Sequence, residues 1–188
     1  MDDAKRVLIA AAVNWDDLWG LAQEGQIPCT DLLAFAANQD LADLFGVELG
    51  EDTETAALQM ADVSGLAFGY AERAVLVAEV PASNCCPAWR GNPPGAVLTS
   101  LLPIGDCLAF FTGDTAATAI EDAKGLYADD AWDLPSVQKL LADQPLEWHD
   151  ISELEPWLAS QSGNHNDDKD DGAGHLADAD PLGLGARP

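Results

Sequence analysis

His149 sits between Trp148 and Asp150, with Glu147 and Glu153 close in sequence, and it is the only histidine before the acidic C-terminal stretch. A histidine held by a carboxylate can work as a general base, because its ring titrates near neutral pH. Such a base needs a nucleophile or an activated water to act upon, and no nucleophile is identifiable as its partner. The plainer reading is a surface or hydrogen-bonded structural histidine. Strand geometry turns Trp148 and His149 to opposite sides, so one is expected buried and the other exposed.

Trp89 and Arg90 make a second candidate. In a chain with so few basic residues, an arginine beside an indole on a long loop could hold an anionic or planar ligand. Against this stands a tryptophan that anchors the loop, with the Arg90 stem lying over it. Cys85 and Cys86 share that loop. Zinc ligands usually lie two to four residues apart, which adjacent cysteines do not satisfy, and adjacency strains a bridge between them. With Cys29 and Cys107 distant and no Cys-x-x-Cys pair, neither a metal nor a cofactor is expected. No phosphate loop, dinucleotide-binding glycine pattern or nucleophile elbow is present.

Charge narrows the classes further. Thirty-three acidic residues face eight basic ones, for a net of −25. The stretch from Gly163 holds six acids and two bases, so 27 acids against 6 bases, or −21, belong to the preceding part. Such a surface repels nucleic acid and anionic membranes and favours basic partners or cations. The chain opens Met-Asp-Asp-Ala-Lys-Arg, without an apolar leader, and no stretch approaches the roughly eighteen apolar residues of a membrane span. A cytoplasmic protein with reduced thiols is the expectation.

These residues need elements to position them. Arg73–Pro81, RAVLVAEVP, is a short apolar run with a proline stop and reads as a strand buried on both faces. A helix enters it: Ala57, Leu58 and Ala61 fall at helical spacing, with Asp52 or Thr53 as cap and Gly69 near the end. Val7–Val13 reads as a first strand. Asn14 then caps a helix with Asp16 and Asp17 in its first turn, stopped by Gly25. With Asp31–Ala37 as the next strand this suggests a β-α-β unit, right-handed if parallel. A short helix over Gln39–Phe45 follows. Ala82–Gly95, rich in proline and glycine, is expected to be irregular. Ala96–Leu102 and Asp106–Phe111 read as a hairpin, and Asp129–Leu134 as a connection. Pro135 opens a helix, Leu146–Ile151 is an edge strand, and Ser152 caps a terminal helix.

Several of these pieces together resemble an uncharacterised family of small actinobacterial intracellular proteins. They are Arg6-Val7-Leu8-Ile9, Ala34-Phe35-Ala36, the Glu54–Ser64 helix, Arg73–Pro81, and Leu146 to Leu154 with Trp148-His149-Asp150, spanning roughly residues 5–158. The Cys85–Arg90 loop and the acidic tail have no match in that pattern. The resemblance implies a compact α/β domain and no known activity.

The resulting expectation is one α/β domain over residues 1–160, a mixed sheet of about five strands covered by helices, and a disordered acidic tail over 161–188. Functionally it is a non-enzymatic interaction or binding protein with a basic protein partner. The competing readings are a small enzyme or ligand-binding domain joining the Cys85–Gly95 loop to His149, and a nucleic-acid mimic with carboxylates at phosphate-like spacing.

Overall fold

The computed structural model describes residues 5–88 and 91–164. Strand β1 (Arg6–Ala12), helix α1 (Trp15–Glu24), strand β2 (Gln26–Ala36), helix α2 (Gln39–Phe45), helix α3 (Glu51–Phe68) and strand β3 (Arg73–Pro81) come first. Strands β4 (Cys85–Pro87), β5 (Ala96–Pro103) and β6 (Cys107–Gly113) follow. Helices α4 (Ala117–Ala123), α5 (Ala128–Trp132) and α6 (Pro135–Asp143), strand β7 (Glu147–Asp150) and helix α7 (Leu154–Asn164) complete the order.

Among the described residues the strands form one seven-stranded sheet in the order β4-β5-β2-β1-β3-β6-β7. Every pairing is antiparallel. This corrects the expected mixed sheet of about five strands. The reason lies in α1. Only the last residues of β2 meet β1, with Ile9 opposite Ala36 and Ala10 opposite Phe35. The first residues of β2, from Gln26 to Pro28, pair with β5 alone. Helix α1 therefore carries the chain onward past the end of β1, and β2 runs back from there, so no parallel crossover forms.

The expected hairpin of β5 and β6 is also corrected: β2, β1 and β3 lie between them. Their connection, Ile104–Asp106, is a three-residue 3-10 turn. Three residues can span about 14 Å, whereas four strand spacings of ~4.8 Å need about 19 Å in a flat sheet. The sheet must curl at this end. The Ile104 N–H donates to the Gly25 carbonyl at 2.8 Å, and the Arg6 guanidinium meets Asp106 at 2.6 Å across the curl.

Both faces of the sheet centre are buried. Ala10, Leu33, Phe35 and Val75 pack with α3 residues in one cluster. The alternate positions Ile9, Ala11, Ala34 and Leu76 are each fully buried as well, and α1 packs along β2. Helix α3 is the centre of the helical layer, in contact with β1, β2, β3, α2, α4 and α5. Its second half is buried all round, which small residues allow. An ideal Cβ on Gly65 would lie 3.2 Å from the Ala12 Cβ, so glycine lets helix and strand approach closely.

Local signals act as their chemistry requires. Asn14 Oδ1 accepts from the Asp17 N–H at 2.9 Å, and Asp17 returns the bond to the Asn14 N–H at 3.1 Å. Gly25 closes α1 at φ 74°. Asn14→Ala is expected to lower stability by about 1 kcal/mol, seen as a lower urea midpoint at unchanged slope. Asp129–Leu134, expected to be a connection, contains most of α5, whose Trp132 ring packs edge-on to Phe45 at 5.0 Å.

The chain divides into two units, residues 1–155 and 156–188. Helix α7 leads into the second and reaches Asn164, past the expected start of the tail at Gln161. The remainder of that expected tail, from residue 165, lies outside the described residues.

Candidate functional site

His149 lies on the edge strand β7, opposite Phe110 of β6. The alternation holds: His149 is buried and Trp148 is 57% exposed. The histidine ring stacks on Phe110 at 4.7 Å with planes 17° apart, and Nε2 is 2.9 Å from the Thr112 hydroxyl oxygen. The Asp150 carboxylate is committed elsewhere. It accepts from the Ser152 N–H at 2.9 Å and the Ser152 hydroxyl at 2.6 Å, bonds that hold its pKa below the usual range. Asp150, not Ser152, thus caps the turn before α7. His149 is placed as a cross-strand packing residue.

Trp89 and Arg90 lie outside the described residues. The flanks of their loop are described. Cys85–Pro87 form β4, a short strand paired with β5, which corrects the expectation of irregular chain from Ala82 to Gly95. Beyond it, Gly91 (φ 105°) lies against the Tyr127 ring and Gly95 (φ 88°) against Leu41. Strand β4 is one edge of the sheet and β7 the other, with five strands between them. Cys85 and Cys86 are successive strand residues and point to opposite sides, so they do not converge on one ion. Cys107 is buried, donates to the Pro103 carbonyl at 3.4 Å, and has its pKa pushed up to about 12 by burial and by the Asp106 charge. A thiol held protonated is a poor nucleophile.

A different arrangement emerges on the helical side of the sheet. Between the first half of α3 and strands β1, β3, β6 and β7 runs an open groove of about 420 Å³. Leu8, Val77, Phe111 and Trp148 form its floor. Trp148 and Phe111 are direct cross-strand partners, so both rings stand on this face. Leu108 joins them because a bulge interrupts the β3–β6 register between Val77 and Ala78. The rim is Glu51 and Glu54, exposed in the first turn of α3. At a spacing of three residues they share one helix face. Among the described residues these two carboxylates are the only ionisable groups lining the groove.

Thr55 and Leu58 of α3 divide this groove from a smaller cavity of about 190 Å³. Its floor is an ion pair that charge patterning alone did not single out. Arg73 Nη2 lies 2.6 Å from Asp62 Oδ2, and Nε lies 3.2 Å from Oδ1, a side-on bidentate contact. Both residues are 3% exposed. Arg73 Nη1 also donates to the Gln144 carbonyl at 3.1 Å, tying the pair to the link between α6 and β7. A signal was available: Asp62 is the one charge in the otherwise uncharged run Ala56–Ala67, and buried charges come paired.

The groove residues were legible only as parts of elements. Glu54 falls in the expected helix and Trp148 in the expected edge strand, whereas Glu51 precedes the expected cap at Asp52 or Thr53 and proves to be the first helical residue; their convergence depends on β7 lying beside β6. Among the described residues no helix is long and apolar enough to cross a membrane. Neither the curated proteins nor the solved structures yield a significant match to the chain. Residues 5–158 match the model of a family of unknown function, DUF6912, and the chain belongs to that family.

Proposed function

We propose that this chain is a non-enzymatic binding protein whose groove takes a cationic side chain of a basic protein partner. The observation that carries this reading is the pairing of an aromatic floor, Trp148 and Phe111, with the Glu51 and Glu54 rim. A lysine or arginine can lay its apolar stem on such a floor while its head meets ring face and carboxylates. Each contact at an exposed site contributes roughly 0.5–1 kcal/mol, so affinity grows from several contacts together. The −25 charge adds long-range attraction that speeds encounter with a basic partner.

The test uses the full chain and a short capped peptide alternating lysine and valine, followed by Trp fluorescence and calorimetry. Binding is expected at low salt and should fade as salt approaches about 1 M, where screening length falls to ~3 Å. The double change Glu51→Gln with Glu54→Gln, and separately Trp148→Ala, should each weaken it roughly threefold to tenfold. All three side chains are exposed, so the fold is expected to survive. Binding that ignores salt and all three changes would end this reading.

A further inference from the structure

We propose that the basic partner segment binds as an added strand along β7, an inference that rests on the binding reading above. Among the described residues the two edges of the sheet differ in kind. Strand β4 has three residues and ends in Pro87, whose ring nitrogen cannot donate to a neighbour. Strand β7, Glu147–Asp150, contains no proline. Its side chains alternate, so Trp148 and Asp150 share the groove face while Glu147 and His149 share the other. Each face thus presents one carboxylate.

That pattern discriminates between partners. Two copies of this chain meeting at β7 would set acids near acids on both faces, which repels. A basic strand sets cations there instead. Its residue opposite Trp148 would stand within ~5.5 Å of the indole, and the next on that face would meet Asp150. The groove floor of Leu8, Val77, Phe111 and Trp148 runs up to this edge, so an added strand extends an apolar surface already rimmed by Glu51 and Glu54. Extended peptides recognised this way draw affinity from main-chain hydrogen bonds and selectivity from alternate side chains.

Main-chain bonding has a signature that side-chain contacts lack. In an added strand, alternate N–H groups point at β7 and the others point away. The lysine–valine peptide is therefore compared with two backbone N-methylated forms, one methylated at odd positions and one at even positions. One form is expected to lose about tenfold or more in affinity for the full chain, and the other to bind nearly as the parent does. Amide hydrogen exchange at 147–150 should slow on binding the parent peptide. Equal affinities for the two forms, or unchanged exchange at β7, would overturn strand addition even if the parent peptide still responds to Glu51→Gln with Glu54→Gln. In that event the groove reading survives without it. A parent peptide that does not bind overturns both.

Discussion

Arg73→Met is expected to cost about 3–5 kcal/mol, because it leaves the Asp62 carboxylate buried without its partner. Methionine keeps much of the apolar stem, so the loss reports the charge and not a cavity. Domains of this kind are stable by about 5–15 kcal/mol, and the variant is expected to unfold at much lower urea. Asp62→Leu alone should cost a similar amount, since the guanidinium is then the stranded charge. The two together should cost far less than either, because replacing both members of a buried pair by apolar residues is often near neutral. About 1 kcal/mol is still lost at the Gln144 carbonyl, which no longer receives the Arg73 bond. A thermodynamic cycle from urea denaturation of the four proteins measures this coupling. Single variants within 1 kcal/mol of the native chain would show that water reaches the pair. The site leaves little room for alternatives: an ideal Cβ on Gly113 would lie 2.9 Å from both Arg73 Nη1 and Leu146.

The bond to Gln144 also links stability to the groove. Gln144 lies three residues before Glu147, so the buried guanidinium helps fix where β7 begins. Trp148 reaches the groove only because β7 is held beside β6. The core ion pair and the exposed aromatic are thus two ends of one short segment.

Features set by neighbouring residues were legible in the sequence. Asn14 with Asp17 and Gly25 bound α1, and Arg73–Pro81 is a strand with the predicted limits. The His149 and Trp148 alternation also follows from local geometry, although which of them is buried does not. Features set by distant residues were not legible. Antiparallel β1 and β2 depend on β2 reaching past β1 to β5, a matter of where α1 leaves the chain. The separation of β5 from β6 depends on the curl that a three-residue turn imposes. Strand β4 forms in a proline-rich stretch because β5 offers it an edge, and tertiary pairing overrides a weak local preference. The groove was missed for the same reason: Glu51 and Trp148 stand nearly a hundred residues apart in the chain.

Gly95→Ala is expected to cost about 2–5 kcal/mol, while Gly46→Ala at a comparable backbone angle costs about 1–2 kcal/mol. Both glycines have positive φ, 88° and 64°, so both substitutions strain the backbone. They differ in what a methyl group would meet. Nothing lies within 4 Å of an ideal Cβ at Gly46, whereas at Gly95 the Leu41 Cβ lies at 2.8 Å and its Cδ1 at 3.1 Å. Leu41 cannot swing away, because it is fully buried and its N–H is held by the Asn38 cap at 3.1 Å. Gly95 cannot retreat either, since its carbonyl accepts from the Ala36 N–H at 2.9 Å. One of these contacts must break, and the strand end of β2 or the start of α2 moves with it. Urea denaturation of the two variants side by side separates the shared strain from the clash. A Gly95 variant no less stable than the Gly46 variant would mean that the loop after β4 is only loosely seated. A loss at Gly95→Ala that exceeds the shared strain seen at Gly46→Ala would mean that Gly95 is fastened against α2 as a structural part.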